Sequence, residues 1–196
     1  MTVSAVVPAA GLSRRMGGDT SKVLLPWGAH TVVEQVVETL RSAGVQDILV
    51  VTGHQRERVE ETMQQHAVRC VHNPDYASGE MLSSLQAGLQ ALPDTCRGAL
   101  IALADQPQME VSVVRAVVEQ FRQRAGIVIP SYRMRRGHPI LLPRRLWPEM
   151  LALAPDDTLR TMIDRHSDEI EYVVVRTSSI LADLDTPEQY QREVRQ

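Results

Sequence analysis

The sequence has little cysteine, no strong excess of charge of one sign and no long apolar run. Its two cysteines, Cys70 and Cys96, form no CxxC pair and stand at no spacing from histidine that suits zinc. The 21 basic and 24 acidic side chains give a net charge of −3. That charge is too small to gather nucleic acid or an anionic membrane non-specifically. We therefore expect no nucleic-acid partner, and the scarce cysteine favours the reducing cytoplasm.

The N-terminal segment 1–8 lacks the basic region and the apolar length of a signal peptide, and no segment approaches a membrane-spanning length. With 196 residues and 43% apolar content, the chain can bury one core of ordinary size. We therefore expect residues 1–196 to form a single domain that is soluble, cytoplasmic and not attached to a membrane.

Short β-branched runs alternate with longer segments of helical period. The predicted strands are 3–8, 47–52, 68–72, 98–104, 126–130 and 170–175. The predicted helices are 32–43, 55–65, 80–92, 111–124, 157–166 and a terminal helix that begins at Pro187. This alternation predicts a three-layer, Rossmann-like α/β fold with a mostly parallel sheet between helices. The basic loop and the apolar run 139–142 predict a β-rich insertion after residue 130.

A loop of small and cationic residues follows the first predicted strand. The turn Ala9-Ala10-Gly11 can bring backbone N–H groups close to a phosphate. A hydroxyl and three cations come next, on Ser13, Arg14, Arg15 and Lys22. The spacing matches neither the P-loop nor the GxGxxG fingerprint. An exposed glycine-rich turn with a solvated basic face is the alternative, but the position directly after the first strand favours phosphate binding.

Three aspartates are candidate metal ligands. Asp105 ends an apolar predicted strand, so it should lie at the carboxyl edge of the sheet beside the cationic loop. Asp183 and Asp185 project to the same side if their segment is extended. Carboxylates of this kind suit Mg²⁺. The alternatives are a turn or helix-capping role for Asp105 and a plain helix start at Thr186-Pro187. Asp185 is the preferred second ligand over Asp183.

The segment 133–139 gathers three arginines beside His138 and before an apolar run. Such a loop can hold an anionic acceptor substrate. Because a single loop histidine is more often structural or merely exposed, His138 is a candidate for binding and not for general-base catalysis.

Taken together, these motifs resemble the MobA-like nucleotidyltransferase superfamily, and most of all its molybdenum cofactor cytidylyltransferase branch. The resemblance covers nearly the whole chain and implies a GT-A-like fold. It implies that the loop 8–22 holds a triphosphate, and that Arg15 and Lys22 act with Asp105 at the reacting phosphorus. It further implies a nucleoside-binding group, formed by Asn73, Gly79, Ser83, Ser84, Leu103 and Ala104. The implied acceptor-binding group is Arg136, Gly137, His138, Asp156 and Arg160.

The resemblance implies Mg²⁺-dependent transfer from CTP to the terminal phosphate of a phosphorylated pterin that carries molybdenum. Ala10 stands where guanylyl-transferring relatives have glycine, and its methyl group would narrow the pocket toward a pyrimidine. The alternatives are another nucleotide or acceptor, such as GTP or a sugar or polyol phosphate, and a non-catalytic nucleotide-binding or cofactor-carrier protein. A molybdenum hydroxylase or its maturation factor is the expected protein partner.

Overall fold

The computed structural model describes residues 2–16, 21–78 and 80–194. Gly79, one of the expected nucleoside-binding residues, lies outside the described residues. The strands are β1 (Val3–Pro8), β2 (Pro26–Trp27), β3 (His30–Thr31), β4 (Asp47–Thr52), β5 (Arg69–His72), β6 (Gly98–Ile101), β7 (Ile127–Tyr132), β8 (Arg135–Arg136), β9 (Ile140–Pro143) and β10 (Ile170–Val174). The α-helices are α1 (Val32–Ser42), α2 (Arg56–Gln64), α3 (Glu80–Gln90), α4 (Val111–Arg124), α5 (Trp147–Leu151), α6 (Leu159–Arg165) and α7 (Pro187–Val194).

The main sheet has eight strands, seven of them in the order β10-β7-β9-β6-β1-β4-β5, with β8 paired to β7. The pairs of β1 with β4 and β6, of β4 with β5, and of β7 with β10 are parallel. Strand β9 runs antiparallel between β6 and β7. The predicted α/β fold with a mostly parallel sheet is thus confirmed. The β-rich stretch after residue 130 supplies β8 and β9 to that same sheet.

Apolar side chains cover both faces of the sheet, as the alternation along its strands requires. In β1, Ala5 and Val7 face one core while Val6 faces the other. The first core is closed by α1, α2 and α4, and the second by α3, α5 and α6. Because side chains in a strand alternate between faces, each buried strand feeds both layers. This arrangement is the predicted three-layer packing.

Local signals account for several helix ends. The Thr31 side chain accepts a hydrogen bond from the Glu34 N–H, and the Glu34 carboxylate accepts one from the Thr31 N–H, which is a complete capping box at the start of α1. Gly44 follows that helix with φ +93°, a conformation that favours glycine. Thr158 caps α6 by accepting from the Thr161 N–H at 3.1 Å.

The predicted strand 98–104 is too long, because β6 ends at Ile101. The Ala102 N–H still donates to the Val6 carbonyl at 3.1 Å, after which the chain leaves the sheet. Ala102, Leu103 and Ala104 are buried as a turn at the sheet edge. The prediction extended the strand to residue 104 because the apolar residues continue without a break to that point. The longest helix of the described chain has 14 residues, and no helix there has the length and apolarity needed to cross a membrane.

Candidate active site

The carboxyl ends of β1 and β6 lie side by side, because Val6 of β1 pairs with Ile101 of β6 in parallel register. The loops that follow these two strands border a cleft of about 410 Å³. Ten of the residues proposed from sequence line it: Ala9, Ala10, Gly11, Ser13, Arg14, Lys22, Ser84, Leu103, Ala104 and Asp105. We call this the first cleft. It lies where ligands of parallel α/β sheets usually bind.

The loop after β1 is held in place mainly by backbone contacts. The Ala9 N–H donates to the Val51 carbonyl at 2.8 Å, and the Ala10 carbonyl accepts from the His54 N–H at 3.1 Å. A Cβ added at Gly53 would lie 2.7 Å from the Ala10 methyl group and 2.6 Å from the Tyr76 Cβ. Only glycine therefore lets the three backbones approach this closely.

Ser13 closes the loop onto Lys22. Its backbone is left-handed, with φ +51°, and its hydroxyl accepts from the Lys22 N–H at 2.9 Å. At Gly11 no atom lies within 4 Å of the position of an added Cβ. The turn 9–13 is thus anchored at both ends, while Gly11 in its middle faces open space, as a phosphate-binding turn requires.

A network of ion pairs joins the loop to the two aspartates preferred as metal ligands. The Lys22 ammonium donates to Asp105 and, at 3.2 Å, to Asp185 Oδ1. Arg15 donates to both oxygens of Asp185, at 2.9 and 3.0 Å. The Lys22, Asp105 and Asp185 side chains are only 18%, 17% and 24% exposed, whereas Arg15 is 71% exposed. Arg15 thus reaches the network from solvent and is not among the residues that line the first cleft.

The protonation of Lys22 follows from this environment. Burial lowers the pKa of its ammonium, but the charges and hydrogen bonds of Asp105 and then Asp185 outweigh burial, and the net pKa is raised. Lys22 therefore carries a full positive charge at neutral pH.

Asp183 has a different partner from Asp185. Its Oδ1 accepts from Gln106 Nε2 at 2.6 Å. Loss of solvation around the carboxylate raises the pKa of Asp183, and repulsion from Asp105 and Asp185 adds to the rise. The Leu184 N–H donates to the Asp105 carbonyl at 3.0 Å, which brings this segment to the turn after β6. The expected helix start is also present, since Thr186 Oγ1 accepts from the Gln189 N–H at 3.3 Å.

The carboxylates have the chemistry of a magnesium site that is completed by a substrate. Within residues 2–16, 21–78 and 80–194, no three His, Cys, Asp or Glu side chains are grouped so that they could hold a metal ion. Asp105 and Asp185 nevertheless share one cationic group, Lys22, so their oxygens converge on a common point. Mg²⁺ typically takes one or two carboxylates and completes its shell with water and phosphates. The pair therefore fits Mg²⁺ bound together with a nucleotide.

Of the expected nucleoside-binding residues, Ser84, Leu103 and Ala104 line the first cleft, whereas Asn73 and Ser83 do not. Asn73 is buried and donates to Ser83 Oγ at 2.8 Å and to Ser84 Oγ at 3.0 Å, so it positions the start of α3. Of these three residues, Ser84 lines the first cleft. Tyr76 and Met81 also line it and were missed from the sequence. Tyr76 lies between Asn73 and Gly79, two of the residues expected to bind the nucleoside, and this position was the available signal for it.

A second cleft of about 420 Å³ lies on the other side of Met81, whose side chain borders both clefts. Four expected acceptor-binding residues line it: Arg136, Gly137, His138 and Arg160. Most of its remaining wall is apolar, with Leu82, Leu85, Ile129, Ile140, Leu159 and Ile163. The cleft thus combines cationic groups with a surface suited to an apolar or aromatic body.

The structure corrects the position of one acceptor candidate. Asp156 is exposed and does not line the second cleft, whereas Asp157 does. The reason is the turn before α6, in which the Asp157 carboxylate accepts from the Ala154 N–H at 3.2 Å. This bond fixes the orientation of the Asp157 side chain within the turn.

His138 and Arg136 are both held by neighbouring segments. The His138 N–H donates to the Ile180 carbonyl at 3.1 Å, and burial lowers the pKa of the imidazole to about 4 against a weak opposing effect of Asp105. His138 is therefore neutral at pH 7. Arg136 donates to Asp164 at 2.7 Å and to the Tyr172 hydroxyl at 2.8 Å, which fixes its guanidinium at the cleft mouth.

A mostly parallel α/β sheet that presents a cationic loop and two carboxylates at one edge has the groups needed to bind a nucleotide and a divalent metal, as expected of a nucleotidyltransferase. Comparison with known proteins identifies the family. Residues 5–170 match the MobA-like NTP transferase domain, and the chain belongs to this family.

Two relatives align over nearly the whole chain. The molybdenum cofactor cytidylyltransferase of Escherichia coli (strain K12) is 27% identical, over 96% of this chain and 93% of that protein. The nicotine blue oxidoreductase of Paenarthrobacter nicotinovorans is 31% identical, over 97% of this chain and 95% of that protein. A Mycobacterium tuberculosis H37Rv protein solved in complex with manganese has the same fold, with a TM-score of 0.83, 24% identity and coverage of 100% of this chain and 99% of that one.

Proposed function

We propose that this nucleotidyltransferase transfers a cytidylyl group from CTP, with Mg²⁺, to the terminal phosphate of a molybdenum-bearing pterin. One observation carries the proposal: two clefts meet at Met81, one lined by cations and carboxylates and the other by arginines and apolar side chains. Two substrates could thus bind on either side of a shared boundary. Transfer between them requires this arrangement.

The first cleft suits the nucleotide. Its loop, with Gly11, Ser13 and Arg14, offers backbone N–H groups, a hydroxyl and a cation to the triphosphate. Tyr76 and Ser84 lie farther along the wall and would contact the nucleoside. The choice of CTP is supported by the cytidylyltransferase named among the relatives and by Ala10, a lining residue of the first cleft that carries a methyl group where glycine would leave more room.

Asp105 and Asp185 would hold Mg²⁺, because Lys22 bridges these two carboxylates. Asp183 is the less favoured ligand, since its Oδ1 accepts from the neutral amide of Gln106. Mg²⁺ bound there would supply positive charge against the phosphates of the nucleotide. The manganese complex of the M. tuberculosis protein supports a divalent metal in this fold.

In the proposed reaction, an oxygen of the acceptor phosphate attacks the α-phosphorus of CTP. A new P–O bond forms, and the bond from the α-phosphorus to the bridging oxygen breaks, so that pyrophosphate leaves with the electron pair. No protein nucleophile is needed. Lys22 and Arg15 offset negative charge on the phosphates, since such transfers are accelerated mainly by positioning and charge stabilisation.

The second cleft would position the acceptor. Arg136 is already oriented by Asp164 and Tyr172, and Arg160 lies on the same wall, so both could bind the acceptor phosphate. His138, neutral at pH 7, can donate or accept a hydrogen bond but carries no charge. The apolar remainder would pack against the body of the acceptor.

The direct test incubates the protein with Mg²⁺, each of the four nucleotides and a set of acceptors that includes the molybdenum-bearing pterin and sugar phosphates. Pyrophosphate release and the mass of the product are measured. We expect release with CTP and the pterin, and a product heavier by one cytidylyl group. Release with GTP, or only with a sugar phosphate, would replace the proposed substrates while keeping the reaction class.

The variant Asp105→Asn should lower turnover about 100-fold or more, because it removes a carboxylate that would hold Mg²⁺ at the reacting phosphates without changing side-chain size. Nucleotide binding measured without metal should change far less than turnover. Unchanged turnover in a folded Asp105→Asn protein would rule out this role for Asp105.

Two other functions remain as outcomes of the same assay. An oxidoreductase, as the P. nicotinovorans relative is named, would transfer electrons to or from its substrate and release no pyrophosphate. A nucleotide-binding carrier would bind CTP without releasing pyrophosphate, and would hand cofactor to a molybdenum hydroxylase or its maturation factor. The paired carboxylates favour transfer, since neither of these alternatives requires a metal held beside the phosphates.

A further inference from the structure

The contacts of Lys22 point to a competition within the first cleft. Its ammonium donates to one oxygen of Asp105 and to Asp185 Oδ1, the two carboxylates that would hold the metal. A lysine ammonium and a divalent cation both seek carboxylate oxygens, and they repel each other at short range. The two groups therefore cannot both occupy the point on which the carboxylates converge.

The charges of the four side chains that form ion pairs at this point are balanced. Asp105 and Asp185 contribute two negative charges, while Lys22 and Arg15 contribute two positive charges at hydrogen-bond distance. A divalent cation approaching alone would meet neutralised carboxylates and would have to displace a partly buried ammonium. Its affinity for the protein should therefore be low when no phosphate is present.

The triphosphate of a nucleotide offers Lys22 another partner. Lys22 lines the first cleft together with Ser13 and Arg14, so its ammonium can reach a phosphate there without leaving the cleft. Its backbone is held by Ser13 Oγ, but the four-carbon side chain is flexible. The ammonium can turn from the carboxylates to a phosphate while the loop stays in place.

We propose that Lys22 competes with the divalent cation for Asp105 and Asp185, and that nucleotide phosphates relieve this competition by binding the ammonium. The inference rests on the proposed function of the first cleft. It makes Lys22 the residue that couples the two ligands: the nucleotide strengthens metal binding, and the metal strengthens nucleotide binding by the same factor. Metal is thus bound mainly together with nucleotide.

The test measures Mn²⁺ binding by electron paramagnetic resonance in the absence of nucleotide, and CTP binding by calorimetry in the presence of EDTA. The variant Lys22→Met should bind Mn²⁺ about tenfold more tightly than the wild type and CTP about tenfold more weakly, within the usual range of coupling between two ligands. A merely structural role for Lys22 would weaken both or leave both unchanged.

Two further variants serve as controls. Lys22→Arg keeps the charge and should keep the weak Mn²⁺ binding, while Asp105→Asn should weaken Mn²⁺ binding if the measured site is the proposed one. Should Lys22→Met fail to fold by circular dichroism, Lys22→Gln carries the same expectation. Mn²⁺ affinity in Lys22→Met or Lys22→Gln that is equal to or below that of the wild type would overturn the competition. The Mn²⁺ measurement contains no nucleotide, so the comparison of Mn²⁺ affinity between the Lys22 variants and the wild type tests the competition by itself. A failure of CTP to bind would contradict the proposed function and not this comparison.

Discussion

Met81 shows how much a single side chain can decide in this site. It is 47% exposed and lies at the start of α3, where it borders both clefts. An exposed methionine is usually unremarkable by itself, but here its flexible thioether would contact both substrates. We therefore regard it as a residue that sets how the two bound substrates approach each other.

Replacing Met81 with alanine should raise the KM for both CTP and the acceptor by roughly fivefold, because both lose an apolar contact. Steady-state kinetics with each substrate varied in turn measure this. Leu82→Ala is a matched control, since Leu82 borders the second cleft and not the first, and it should change mainly the KM for the acceptor. A Met81→Ala enzyme with only one altered KM would contradict the shared-boundary role.

His138 should make the stability of the protein depend on pH. Burial holds its folded pKa near 4, below the usual value of 6.5. The unfolded chain therefore takes up a proton as pH falls through 6.5, while the folded protein does not until about pH 4. Stability is lost across this window as the solution becomes more acidic.

The variant His138→Asn removes this titration, so the wild type should lose roughly 2 kcal/mol more than the variant between pH 7 and pH 5. Urea unfolding of both proteins at the two pH values gives the difference. Other titrating groups contribute equally to both proteins and cancel. Equal losses would show that His138 is not held neutral.

At the scale of elements, α4 illustrates how one helix carries one face of the core. Phe121 is 1% exposed and packs over Gly98 of β6, where an added Cβ would lie 2.7 Å from the aromatic ring. The bare backbone at Gly98 provides the room for the ring. Helix and strand thus fit together through a large residue opposite the smallest one.

Truncating Phe121 to alanine should cost about 3 to 5 kcal/mol of unfolding free energy, because a buried ring is removed and the cavity over Gly98 stays partly open. Thermal or urea unfolding measures the loss. Phe121→Leu keeps more of the volume and should cost less than Phe121→Ala. A cost below about 1 kcal/mol for the alanine variant would mean that α4 relaxes into the gap.

At the scale of the whole molecule, the first cleft draws its walls from distant parts of the chain. The loop after β1, the start of α3 and the turn after β6 all contribute. Asp185, from the segment before α7, is joined to this cleft through its ion pair with Lys22. A ligand that contacts all of these is bound by the folded protein and not by the unfolded chain. Its binding therefore stabilises the entire fold.

CTP with Mg²⁺ at about 100 times its dissociation constant should add about 2.7 kcal/mol of stability and raise Tm by roughly 5 to 10 °C. Differential scanning fluorimetry provides the measurement. CTP alone and Mg²⁺ alone should each give a smaller rise than the pair. The absence of any shift with CTP and Mg²⁺ would contradict nucleotide binding in the first cleft.

Local patterns were sufficient to predict the alternating helices and strands and the cationic loop 8–22. Periodicity places apolar residues on one face of α1 and α4, and Gly44 follows the end of α1. These features depend on neighbours in sequence. The end of β6 was mispredicted because apolar residues continue beyond Ile101. An apolar run marks residues that become buried, but it does not distinguish a strand from a loop that lines a cleft.

The sequence by itself determined the layered α/β fold, the family resemblance and the residue types available for phosphate and metal. Only the tertiary structure decided that Lys22 bridges Asp105 and Asp185, residues separated from it by 83 and 163 positions. It also placed Asp157, and not Asp156, in the lining of the second cleft, and it placed Met81 at the border of both clefts. The physical reason is that such contacts depend on how distant segments pack, whereas periodicity and capping act over a few residues.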